Sequence, residues 1–216
     1  WKLGKPDMVF DIGEDHVVEA TGPDENTNFT VEMNLDRDLW VSGVDLQPGN
    51  RRVVHHAHVK VITPQKATPK SKAEISPELD LRKLMIREGT ESLASFLPGR
   101  DPEKWPDGYA KFIPAGSKLQ FQIHYSKTSG KRETDRTRVG FILAKEPPKF
   151  EVKRRDIHNH YFLIPANAPN HQVTACYTIP EDSQLLSFTP HMHYRGKSMS
   201  VEITRPGQNV ETILAI

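Results

Sequence analysis

The chain has 216 residues, a formal charge of +1 and 26% charged residues, enough length for one or two domains with a real core. That balance gives no electrostatic basis for binding nucleic acid or an anionic membrane, and no apolar run approaches the roughly 20 residues of a membrane span. One cysteine, Cys176, excludes an internal disulfide and any cysteine-based zinc knuckle. No segment at the start reads as a secretion signal, so the chain is expected to be a processed product or a piece of something longer.

The 17 prolines, 13 glycines and short alternating apolar runs predict an all-β protein. In chain order, strands are predicted over 30–33, 40–44, 53–62, 118–125, 138–144, 161–164, 172–178, 185–188, 198–204 and 211–216. Turn signals separate them at Gln47-Pro48-Gly49-Asn50, Pro114-Ala115-Gly116, Ser129-Gly130-Lys131 and Arg205-Pro206-Gly207. A helix is conceivable only over 76–96, where Ser76-Pro77-Glu78 resembles a cap, but Gly89 interrupts the pattern and Pro98-Gly99 ends it. Most of that stretch reads as a long connection.

The segment 145–155, with Pro147-Pro148 and a run of basic residues, reads as a linker. It divides the chain into 1–148, long enough for a complete sandwich, and 149–216. The second part has 68 residues, about half of what an eight-stranded sandwich needs, and closes on the apolar run "ETILAI". The expectation is a second domain truncated at its C-terminus.

The ten histidines are unevenly spread. His55, His56 and His58 share one predicted strand, "RRVVHHAHVKVI", whose valines and isoleucine occupy both phases as in a strand covered on two sides. Strict alternation puts His56 and His58 on one face and His55 on the other. Adjacent histidines can still share an ion where a bulge twists the strand, or where one binds through Nδ1 and the other through Nε2. Both pairings stay open at this point. In "LQFQIHYS", Leu119, Phe121, Ile123 and Tyr125 form the apolar face, so His124 leaves on the polar one. His191 and His193, in "TPHMHYRGK", would share a face if their segment is a strand. His158, His160 and His171 read as surface or linker residues. No Asp or Glu flanks the cluster, which disfavours hard cations, and imidazole-only ligation suits copper or zinc.

Taken together, "VVHHAHV", "LQFQIHYS" and "HMHYRGK" resemble the copper type II, ascorbate-dependent monooxygenases, the family of peptidylglycine α-hydroxylating and dopamine β-monooxygenases. The order is a His-His pair, a His-Tyr and an H-x-H-x-x-G-K, separated here by 68 residues (His56 to His124) and 67 residues (His124 to His191). The phrases "PAGSKLQFQIHY" and "TPHMHYRGKS" look closest to bacterial members. The resemblance implies two tandem jelly-roll-like antiparallel β-sandwiches, each with one copper. His55, His56 and His124 would hold an electron-storage copper, which makes His55 the ligand and His58 its alternative. His191 and His193 would hold the second copper, where O2 attacks a C–H bond of a small-molecule or peptide substrate and ascorbate serves as electron donor. Other domains of a longer chain are further expected partners, and the expected compartment is periplasmic or extracellular.

Several positions depart from that family. Its second copper also takes a methionine on a later strand, expected beyond Ile216, and neither Met192 nor Met199 is expected to replace it. An impaired second site is therefore anticipated. Thr189 stands where the peptide-amidating branch has an arginine that binds the peptide carboxylate. The rival readings are a noncatalytic copper-binding β-sandwich module of a larger redox protein, and a zinc hydrolase or cupin. A cupin needs Glu soon after H-x-H, whereas the next one here is Glu202.

Overall fold

The computed structural model describes residues 1–64, 90–159 and 161–216, and among them every regular element is a strand. No helix among the described residues is long and apolar enough to cross a membrane. Two compact units emerge, Trp1–Asp156 and Ile157–Ile216.

In the first unit, one sheet holds β1 (Met8–Asp11), β11 (Arg138–Leu143), β4 (Leu39–Gln47), β8 (Tyr109–Ile113) and β12 (Phe150–Glu151) in that order, with β7 (Glu103–Lys104) also paired to β4. The other sheet has the order β3 (Glu25–Glu32), β9 (Lys118–Tyr125), β5 (Val54–Ile62), β6 (Thr90–Phe96). A short ribbon pairs β2 (His16–Val18) with β10 (Glu133–Asp135). Every pairing is antiparallel except β12 with β8.

Side-chain alternation explains why the two larger sheets face one another. Leu119, Phe121, Ile123 and Tyr125 on β9 are fully buried, as are Ala57 and Val59 on β5. They join Val41, Val44, Val139 and Phe141 of the other sheet in one apolar cluster, which makes the unit a β-sandwich. Burial of each large side chain contributes about 1.5–3 kcal/mol. Turn chemistry supplies the corners. A Cβ on Gly49 would stand 2.5 Å from the backbone nitrogen of Arg136, so only glycine lets these two segments meet.

Several expectations change. Residues 76–89 of the conceivable helix lie outside the described residues, and its remainder is β6, a strand whose Leu93 and Ala94 are buried against the sandwich core. The whole predicted linker, 145–155, falls within the first unit, where β12 pairs with Tyr109 and Ala110, and Phe150 stacks on Tyr109 at 4.9 Å. Among the described residues of the second unit only β13 (Ser200–Ile203) and β14 (Glu211–Ala215) form, as an antiparallel pair. The predicted strands over 161–164, 172–178 and 185–188 are irregular, and Tyr161, Leu163, Leu185 and Phe188 are exposed. Alternation describes a face, but a strand exists only through a ladder, and these segments pair with none of the described strands.

Candidate metal centre

The first histidine group is built by a defect in a ladder. On β5, Val54 pairs with Tyr125 of β9 while His56 pairs with His124, so His55 is an extra residue in a β-bulge. The bulge shifts the phase of the strand. Val54 before it and Ala57, Val59 and Val61 after it all point to the core, although they differ in parity. The valines on both phases, read as two covered faces, reflect this one-residue slip. Beyond the bulge the outward face carries His56, His58 and Lys60, all half-buried.

The slip brings three imidazoles together. His56 and His124 lie directly opposite each other across strands, with ring centroids 4.9 Å apart. The bulged His55 leans over both, at 5.3 Å from the His56 ring and 5.0 Å from the His124 ring. Its Nδ1 lies 3.2 Å from His124 Nδ1 and 3.2 Å from His56 Nδ1. Among the described residues this is the group of His, Cys, Asp or Glu side chains, three or more in number, whose ligand atoms converge, all within 4.8 Å.

The donor set fits a soft or borderline metal ion. A ring nitrogen offers either one N–H or one in-plane lone pair. His55 Nδ1 therefore cannot make regular hydrogen bonds to both neighbours at once, whichever tautomers are chosen. A cation resolves the conflict by accepting a lone pair from each. Two nitrogens about 2.0–2.1 Å from a tetrahedral ion stand about 3.3 Å apart, close to the spacing seen here. All three donors are imidazoles, as copper and zinc prefer.

Buried polar contacts hold the two strands in this register. Asp135 is buried and accepts from Tyr125 Oη at 2.9 Å, from Thr137 N at 3.1 Å, from Thr137 Oγ1 at 2.8 Å and from Asn50 N at 2.8 Å. One carboxylate thus ties the residue after His124 to the turn that leads into the bulge. Burial, reinforced by the Asp135 charge, pushes the Tyr125 phenol far above its ordinary pKa and keeps it a donor. Behind the ring of Tyr125, His16 stacks at 4.6 Å and pairs with Glu25 at 3.2 Å. Lys127 Nζ lies 2.7 Å from Glu25, and this contact, followed by that of His16, holds the Glu25 carboxyl below its usual range. On the outer side, His124 Nε2 meets Asp24 Oδ2 at 3.2 Å.

His58 adjoins the triad, its ring 5.4 Å from that of His56. Its Nδ1, however, is engaged by Ser95 Oγ at 2.8 Å, and burial depresses its pKa to about 4, which keeps it neutral. Of the two pairings left open by the sequence, the bulge favours His55. Sequence reasoning passed over Asp24, Asp135 and His16. A parity slip between Val54 and Val59 was the available sign of the bulge, whereas nothing local marks Asp24 as a neighbour of His124, 100 residues away.

His191 and His193 are placed differently. They lie in irregular, exposed chain ahead of a turn at Tyr194-Arg195, not on a strand. Their rings nevertheless approach to 4.9 Å. Met192, between them, packs over Gly196, where a Cβ would stand 2.5 Å from the Met192 Cβ. The Gly196 amide donates to His193 O at 2.7 Å, closing the turn. No protein-family model matches the chain, and no curated protein shows significant similarity to it.

Proposed function

We propose that the chain is a copper- and ascorbate-dependent monooxygenase module whose first unit holds a copper ion on His55, His56 and His124. The observation that carries this reading is the convergence of three imidazole nitrogens at a bulge, with two Nδ1 contacts of 3.2 Å that His55 Nδ1 cannot both make as regular hydrogen bonds. A copper ion there would supply storage of one electron, delivered by ascorbate. His56 and His124 present their donors from a paired register, and His55 completes the set from the bulge. Tyr125 and Asp135 hold that register from within the core. His191 and His193 would hold the second copper, at which O2 and the C–H bond of an organic substrate meet. The tandem jelly-roll arrangement and the periplasmic or extracellular setting belong to the same reading.

The test loads the protein with Cu(II) and with Zn(II), counts bound metal, then adds ascorbate and follows O2 uptake. About one tightly held copper that is lost in His124→Ala and retained in His191→Ala is the expected result. A preference for zinc, or copper binding indifferent to His55, His56 and His124, would overturn it.

A further inference from the structure

We propose that Asp24 is a positioning residue that sets the tautomer of His124, and thereby makes His124 Nδ1 available as a donor. The role rests on the metal-centre reading above. Asp24 is the residue before β3, and β3 lies alongside β9 with Asn26 opposite His124. That register delivers Asp24 Oδ2 to within 3.2 Å of His124 Nε2. The other carboxylate oxygen, Oδ1, accepts the Lys127 amide at 3.2 Å. Lys127 in turn reaches back with its Nζ to Thr21 O at 3.3 Å and to Glu25 at 2.7 Å, so the segment before β3 is clipped to the end of β9.

An ionised carboxylate only accepts hydrogen bonds. The nitrogen facing it must carry the hydrogen, and in a neutral ring the opposite nitrogen then keeps its lone pair. Here that opposite atom is His124 Nδ1, the one aimed at His55. The Asp24 side chain is 48% exposed, so its Coulomb attraction for the ring is largely screened by water. Its value lies in orientation: a carboxylate behind a ligating imidazole fixes ring and tautomer together.

Asparagine separates this role from simple charge. Both Asp24 oxygens act as acceptors, and an amide has only one. If the Asn oxygen keeps the Lys127 amide, its NH2 faces His124 Nε2, donates to it and drives the hydrogen onto Nδ1. Alanine leaves Nε2 to water, which accepts or donates freely. Asp24→Asn is therefore expected to harm the site more than Asp24→Ala, the reverse of what shape alone would give.

The test uses the full chain. Imidazole 15N spectra of the metal-free protein report the His124 tautomer, Cu(II) affinity is measured by competition with a chelator, and thermal melting checks each variant's fold. The expected results are an Nε2–H tautomer in the wild type, an Nδ1–H tautomer in Asp24→Asn, and a loss of Cu(II) affinity of about 10–100-fold in that variant. An Nδ1–H tautomer in the wild type, or wild-type affinity in Asp24→Asn, would overturn the proposal. Equal losses in Asn and Ala variants with an unchanged tautomer would also overturn it, reducing Asp24 to a charge. If wild type and His124→Ala bind Cu(II) alike, the metal-centre reading fails, while the metal-free spectra still decide the part played by Asp24.

Discussion

Two histidine groups in this chain each contain a closely spaced pair, yet they differ in physical standing. His55 and His56 are neighbours on a strand whose partner supplies His124, and the core beneath them fixes where each ring can go. His191 and His193 are two residues apart in exposed, irregular chain, with ring centroids 4.9 Å apart and no strand beneath them. Metal affinity depends on how much ordering has already been done before the ion arrives. A ladder with a buried face does that ordering as part of folding, whereas an exposed loop leaves more of it to the binding event.

The comparison can be broken from the side of the ladder. Phe121→Ala removes a fully buried ring from the middle of β9 and is expected to cost about 3–5 kcal/mol, measured by urea unfolding. Copper affinity should fall with it, because register and site share that strand. Asp135→Ala leaves Tyr125 Oη, Thr137 and the Asn50 amide without their acceptor. With each hydrogen bond to a charged group contributing about 1.5–3 kcal/mol, a loss of several kcal/mol is expected in the same assay.

Deleting His55 sharpens the comparison further. The bulge closes, His56 and His124 stay paired, and the sandwich persists by circular dichroism. Copper affinity should nevertheless drop by more than the roughly 10–100-fold typical of an outer-shell change. The alternative ligand is tested by His58→Gln, which should leave copper affinity near the wild-type value, since Ser95 already engages His58.

The smallest effect is electrostatic. Glu25 has a folded pKa below its ordinary 4.5, so the unfolded chain binds its proton more readily. Its contribution to stability is complete above pH 4.5 and disappears as the pH falls through the lower folded value. Lys127→Ala, which removes the main cause, should lower stability near neutrality, leave it little changed once the pH is below the folded value, and so flatten the profile between, as read by urea unfolding across pH.

Particular residues show how far the linear pattern could be read. The run from 118 to 125 alternates without exception, and β9 spans those residues, with its apolar members buried and His124 outward. The runs over 161–164 and 172–178 are also rich in apolar residues but form no strand, because pairing partners are a property of the whole chain. His55 and His56 were visible as candidates, but period 2 alone ranked His58 above His55. The family resemblance already put His55 first, and the extra residue opposite Tyr125 and His124 is what brings its ring beside those of His56 and His124.

Composition and alternation by themselves pointed to an all-β protein, to the lack of any apolar run as long as a membrane span, and to histidines concentrated at a few places. Those are local properties, set by side-chain chemistry and by the two-residue period of an extended backbone. Tertiary structure decided which three imidazoles meet, that Asp24 stands beside His124 and Asp135 beside Tyr125, and that Ser95 engages His58. Each depends on register between strands distant in sequence, and a single inserted residue changes that register without any mark in composition.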